Sequence, residues 1–210
     1  MDFLDVINNR RSVNFFDPDK NVSDETLKEI IAAASKTPSS FNLQPWSIIV
    51  LRDPEEKMKL RKLAWDQPKV TEAPVILIFL ADIDAWKEGH RFFEKNFQEM
   101  LKAGSMTEEQ RKWFADACTA LYGSDKEKEL AFACKNTGFF AMALMLAAKN
   151  MEIDTHPMDG FDHDEVRKAF NIPDNYWIPL LLAVGHFKEG IELSPPKWRK
   201  SFDDIVVKFD

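Results

Sequence analysis

Three groups of cations stand apart in a chain of 210 residues and net charge −7. Arg10 and Arg11 precede Ser12, Lys69 follows Gln67 in DQPKV, and Lys197, Arg199 and Lys200 lie together in PPKWRKS. The arginine fork donates two parallel hydrogen bonds to phosphate oxygens, so these groups gain meaning if they converge on one anion. Taken singly, each is what an ordinary surface carries. The loop TPSSFNLQPW, residues 37–46, offers different chemistry. Ser39, Ser40 and Asn42 are small donors and acceptors, and Pro38 and Pro45 stiffen the backbone around them. A polar, preorganised loop of this kind suits the edge of a flat heteroaromatic ring; the plain alternative is a helix end and an irregular turn. HPMDGFD, residues 156–162, reads as a second, turn-rich loop, in which Pro157 fixes a dihedral and Gly160 permits close backbone approach.

The missing motifs narrow the chemistry. The seven glycines form neither GxGxxG nor a phosphate-binding Walker loop, and GxSxG, HExxH and CxxC are absent. The four histidines are scattered; Cys118 and Cys134 lack metal-ligand spacing and read as reduced core thiols. A hydrolase or metalloenzyme has little support. Net acidity argues against nucleic acid or an anionic membrane as the main partner. Phosphate-type cations, ring-edge loops and no dinucleotide fingerprint point to a mononucleotide held outside a Rossmann fold.

The elements that must position these residues follow from periodicity. Residues 2–10 predict a short helix with Phe3, Leu4, Val6 and Ile7 on one side, delivering the chain to Arg10. Ser23 caps a helix carrying Leu27, Ile30, Ile31 and Ala34, and Pro54 starts another. Buried strands are expected near 47–52, 74–81 and 178–187, the second with both faces covered because its branched apolar run is unbroken. Residues 84–130 read as helical and rich in aromatics. Residues 136–151 are apolar nearly all round and read as a central core helix. The tail ends in an expected edge strand. The long helical stretch between the second and third strands does not suit a doubly wound repeat, so the expected class is α+β, a central sheet flanked by helices. The N-terminus lacks the apolar stretch of a signal peptide, and no run approaches the ~18 apolar residues of a membrane span, so a cytoplasmic protein is expected.

RRSVNFF followed by TPSSFNLQPW resembles the nitroreductase family of flavin-dependent oxidoreductases. WDQPKVTEAPVIL, NTGFFAMALMLAAKNM with THPMDGFD, and PPKWRKSFDDIV agree in order, so the resemblance covers essentially the whole chain. It implies one domain over 1–210, with a mostly antiparallel sheet, a variable helical segment at 84–130 over the active site, a C-terminal extension from 190, and a homodimer of domain-swapped style. It implies FMN as cofactor, with Arg10 and Arg199 on its phosphate and Ser12 and Lys197 assisting. Arg11 would lie near the pyrimidine end, and Asn14 stands where many relatives carry a cation. Gln67 and Lys69 would bond the ribityl chain and the pyrimidine edge, where a cation favours the charge that reduction adds. Pro38, Ser39, Ser40 and Asn42 would reach the flavin of the other subunit. Pro157, Met158, Asp159 and Gly160 would pass the flavin ring with a backbone N–H near N5. The implied reaction is ping-pong: NADH or NADPH reduces FMN, then a nitroaromatic, quinone or related small acceptor takes the electrons. Reductive dehalogenation or enal reduction on the same fold, or a flavin store or sensor with little turnover, are the alternatives. Phe92, Phe93, Phe97, Trp113 and Phe114 are candidates for the acceptor pocket, or else core.

Overall fold

The protein is described here from a computed structural model covering residues 2–209. Its centre is strand β2, Val75–Asp82, which is buried along its whole length. Successive side chains of a strand point to opposite faces. Ile76, Ile78 and Leu80 therefore enter one apolar cluster, while Val75, Leu77 and Phe79 enter another on the far side. Strand β5, Leu181–Gly185, divides in the same way, with Leu181 and Ala183 on the first face and Leu182 and Val184 on the second. Both strands read as unbroken apolar runs because both faces are covered.

The sheet order is β1-β2-β5-β3, with β1 at Trp46–Leu51 and β3 at Asp154–Met158. The short β4, Tyr176–Trp177, pairs with the end of β2, and every pairing among these strands is antiparallel. Helices cover both faces: α2 (Asp24–Ala34) and α7 (Lys126–Asn150) on one, α3 (Pro54–Leu63) and α8 (His163–Ala169) on the other. The fold is thus α+β with an antiparallel sheet, as expected. The Ser23 cap is present, its side chain accepting from the Thr26 N–H, and Pro54 opens α3 behind an Asp53 cap.

Four expectations differ. The stretch 154–158 is a strand, not a loop; its His and Pro hide the period-two pattern, and β3 is an edge strand, where proline is tolerated. The segment 47–52 is also an edge strand, mostly half-exposed, because β2 covers only one of its sides. Among the described residues the tail forms no strand: it runs irregular from Ile191 to Ser201, makes one short helix, α9 (Phe202–Ile205), and is exposed from Glu192 on. The core helix is longer than 136–151, and α7 is long and apolar enough, by length and composition, to cross a membrane. Its small residues and scattered polar ones broke the run read from sequence. In the fold Phe132, Phe140, Ala141, Leu144 and Ala148 are buried among the core clusters.

Residues 84–130 fold as turns, then α5 (Arg91–Lys102), a short 3-10 turn at Glu108–Gln110, α6 (Arg111–Tyr122) and the start of α7. Phe93, Phe97 and Phe114 are fully buried together with Cys118, so they are core. This packing brings two buried asparagines against the polar loop that precedes β1. Asn136 of α7 accepts from the Ser40 N–H (3.0 Å) and donates to the Phe132 carbonyl (2.7 Å). Asn96 of α5 donates to the Phe41 carbonyl (2.8 Å) and accepts from the Asn42 amide (3.0 Å). The loop needs such clamps, since Phe41, Asn42 and Gln44 all have positive φ (50°, 56° and 46°), a region costly for side chains other than glycine. Replacing Asn136 by Leu leaves a main-chain donor without its partner, which costs about 2 kcal/mol. The melting temperature is expected to fall by about 4–8 °C in calorimetry; an unchanged value would show that the clamp carries no stability.

Candidate functional site

The first helix, α1 (Phe3–Asn9), ends at Arg10, and the following segment is stitched into β3 by a parallel bridge between Ser12 and Thr155. The returning tail runs beside it. The Asp17 N–H donates to the His186 carbonyl (2.9 Å), and the Lys188 N–H to the Phe15 carbonyl (3.2 Å). Arg11 completes the strap, its guanidinium donating to the carbonyls of Ser194 (2.6 Å) and Pro195 (3.1 Å). Arg11 is therefore committed to the main chain of the tail rather than to a ring edge. The consequence is that Lys197 and Arg199 return to the start of the chain. Arg10, Arg11, Ser12, Lys197 and Arg199 line one cavity of about 160 Å³. A wider recess of about 400 Å³ shares the four cations and adds Ile7, Asn8, Met142 and Pro196.

Among the described residues none of these four cations has an ion-pair partner. Burial, followed by the charges of Arg199 and Arg11, lowers the pKa of Arg10. An uncompensated cluster of forked donors beside a serine hydroxyl fits a phosphate dianion. Asn14 lines neither of these cavities; it borders an adjoining hollow that shares Arg11, Ser12 and Lys197 and adds Glu192, Phe15 and Phe187.

Lys69, at the start of α4 (Lys69–Glu72), is half-buried, and desolvation lowers its pKa. Its ammonium donates to Gln67 Oε1 (3.4 Å) and meets His156 Nε2 at 3.3 Å. The Gln67 amide nitrogen is spent on the main chain, donating to the Ala64 (3.1 Å) and Gly160 (3.0 Å) carbonyls. Gln67 thus ties the turn before α4 to the loop after β3. At the end of β3 Met158 has its side chain in the core, so only its main chain is available to a ligand, while Asp159, which opens the loop, is exposed. Gly160 does admit a close approach, but by Trp65: a Cβ there would stand 2.7 Å from the indole. Trp65 itself is 78% exposed, on a backbone with φ 52°.

The other loop lies elsewhere in the same chain. Ser39 accepts from the Gln44 N–H (3.0 Å), and Ser40 accepts from Lys135 Nζ (3.1 Å). Asn42 opens on a cleft of about 300 Å³ formed with Gln44, Trp46, Phe92, Lys95 and Glu99. Of the five aromatic candidates only Phe92 faces this cleft; Trp113 is an exposed side chain of α6. No residue lines both this cleft and the cationic cavity. The sequence reading assigned nothing to Asn96, Asn136, His156 or Trp65. Asn136 carried a usable signal, a lone amide inside an apolar helix, which has to be bonded if it is buried.

The family model described as "Nitroreductase family" matches residues 7–186. The chain is 34% identical to a Thermus thermophilus protein named NADH dehydrogenase, over 94% of this chain and 91% of that one. It is 31% identical to Bacillus subtilis YodC, provisionally named an NAD(P)H nitroreductase, over 87% and 88%. A crystal structure of an Exiguobacterium sibiricum protein in complex with FMN superimposes with a TM-score of 0.84 at 26% identity, covering 98% of this chain and 96% of that one. The chain belongs to the nitroreductase family, whose members are NAD(P)H-dependent flavin oxidoreductases.

Proposed function

We propose that the chain binds FMN non-covalently and reduces small electron acceptors, nitroaromatics or quinones, at the expense of NADH or NADPH in a ping-pong cycle. The observation that carries this is the cationic cavity: four cations, none in an ion pair among the described residues, and a serine hydroxyl, drawn from the two ends of the chain. Held there by Arg10, Lys197, Arg199 and Ser12, FMN would supply the redox chemistry between nicotinamide and acceptor. The protein's own residues have simpler tasks. Arg10, Lys197 and Arg199 hold the phosphate, with Ser12 donating beside them. Lys69 places positive charge at the pyrimidine edge, and Gln67 fixes the Gly160 loop beside the ring. The whole chain acts as one domain, with the helices of 84–130 beside the acceptor and the extension from 190 as part of the phosphate grip.

The family pattern also asks for Pro38, Ser39, Ser40 and Asn42 at the flavin. In one chain these residues share no cavity with the cations, which supports a site completed by a second copy. The exposed apolar residues agree. Phe3, Leu4 and Ile7 of α1, Phe139 and Met142 of α7, and Trp198, Phe202 and Ile205 of the tail are all uncovered. Ile7 and Met142 also rim the cationic recess, so the uncovered surface is continuous with the site. Apolar faces of this extent are what an obligate, core-like interface buries.

The reading gives two measurements. Arg199 donates through Nη1 to the carbonyls of Lys197 and Trp198, leaving the rest of its fork for an anion. Arg199→Ala is expected to raise the FMN dissociation constant about tenfold to hundredfold in a flavin fluorescence titration. Unchanged affinity would mean that the phosphate is held elsewhere. For the assembly, analytical ultracentrifugation with flavin absorbance followed alongside protein should give a dimer that loses FMN as it dissociates. A stable 24.3 kDa monomer that keeps its FMN would exclude the shared site.

A further inference from the structure

His156 lies in the middle of β3, directly after Thr155, which meets Ser12, and two residues before the strand ends at Met158. It is half-buried and touches two parts of the proposed cofactor site at once. Its Nδ1 is 2.9 Å from the Val13 carbonyl, and its Nε2 is 3.3 Å from Lys69 Nζ. We propose that His156 is a positioning residue, a bridge locked in one tautomer that aims the Lys69 ammonium at the cofactor and ties it to the phosphate-binding segment.

The lock follows from what each partner is able to do. A carbonyl oxygen only accepts, so Nδ1 carries the proton and donates it to Val13. In a neutral imidazole the other nitrogen then has the lone pair, so Nε2 accepts from Lys69, which has only donors. The opposite tautomer would set a lone pair against the carbonyl and an N–H against the ammonium. Protonating the ring would put two cations 3.3 Å apart. Burial, and then the Lys69 charge, drive the histidine pKa down to about 4, with the Val13 bond opposing them, so the ring stays neutral at ordinary pH. Lys69 is gripped from two sides, by His156 Nε2 and Gln67 Oε1. An ammonium has three N–H donors, so fixing two directions fixes the third. Because Val13 directly follows Ser12, the same ring couples the lysine to the segment that carries Arg10 and Ser12. A lysine on a flexible four-carbon stem gains most from such a grip, since its direction is otherwise not set by its own shape.

The role of the lysine rests on the FMN reading above, so the test separates the two. Three variants divide the bridge. His156→Asn keeps a donor for Val13 and loses reach to Lys69. His156→Gln places an amide near the Nε2 position and keeps an acceptor for Lys69. His156→Phe keeps the bulk and loses both bonds. Each is titrated with FMN, and the midpoint potential of the bound flavin is measured. The Asn and Phe variants are expected to bind FMN about tenfold more weakly, with the potential moved to more negative values. The Gln variant is expected to stay within about threefold of the parent chain and to keep its potential. An Asn variant with parental affinity and potential would overturn the proposal, as would three variants equally weakened. If the parent chain binds no FMN, the functional reading falls and the cofactor half of this proposal with it. The bridge itself is then read in the apoprotein by ¹⁵N NMR of the imidazole. A proton on Nδ1, with an Nε2 shift that responds to Lys69→Met, supports it; a proton on Nε2 overturns it.

Discussion

Four cations from the two ends of the chain line one cavity, and among the described residues none of them is in an ion pair. Like charges brought together in a partly desolvated recess repel one another, and the arrangement is stable only because the fold on either side forces it. The forcing is local and identifiable. Helix α1 ends at Arg10, β3 holds the next residues through the Ser12–Thr155 bridge, and Arg11 gives its guanidinium to the carbonyls of Ser194 and Pro195. One arginine is used as a buckle so that Lys197 and Arg199 face the other end of the chain. An anion with two or three oxygens would relieve the repulsion, which supports the proposal that this cavity takes the cofactor's phosphate.

The second half of the machinery is stressed differently. The loop at 39–44 holds three non-glycine residues in the left-handed region, and buried asparagines on α5 and α7 bond its main chain. Strain of this kind persists only where surrounding bonds over-determine it. The aromatic core of Phe93, Phe97 and Phe114 supplies the rigid backing, fixing α5 and α6 against α7 and so fixing Asn96 and Asn136. The aromatic-rich segment thus acts on the loop mostly from behind, through packing, and presents only Phe92 to the adjoining cleft.

These two halves line separate cavities of one chain, and exposed apolar side chains lie along α1, α7 and the tail. Met142 is exposed and also borders the cationic recess, so in the proposed dimer covering the apolar faces and completing the site would be one event.

Much was legible in the sequence. The unbroken run of β2 announced a strand covered on both faces, β5 read as a buried strand, the Ser23 and Pro54 signals marked helix starts, and the spacing of RRSVNFF, TPSSFNLQPW and PPKWRKS carried the family. These are local matters, decided by side-chain period and by backbone chemistry within a few residues. What the tertiary structure decided is partnership at long range. Only the fold could show that 154–158 is an edge strand, because pairing with β5 rather than composition makes it one. Only the fold could spend Arg11 on the tail, the Gln67 amide on the Gly160 loop, and the closeness of Gly160 on Trp65. His156 was visible as a letter in a motif, but its tautomer is set by a carbonyl 143 positions away in the chain and its role by a lysine 87 positions away. A hydrogen bond depends on atoms a few ångströms apart, and sequence distance carries no information about that separation until the chain has folded.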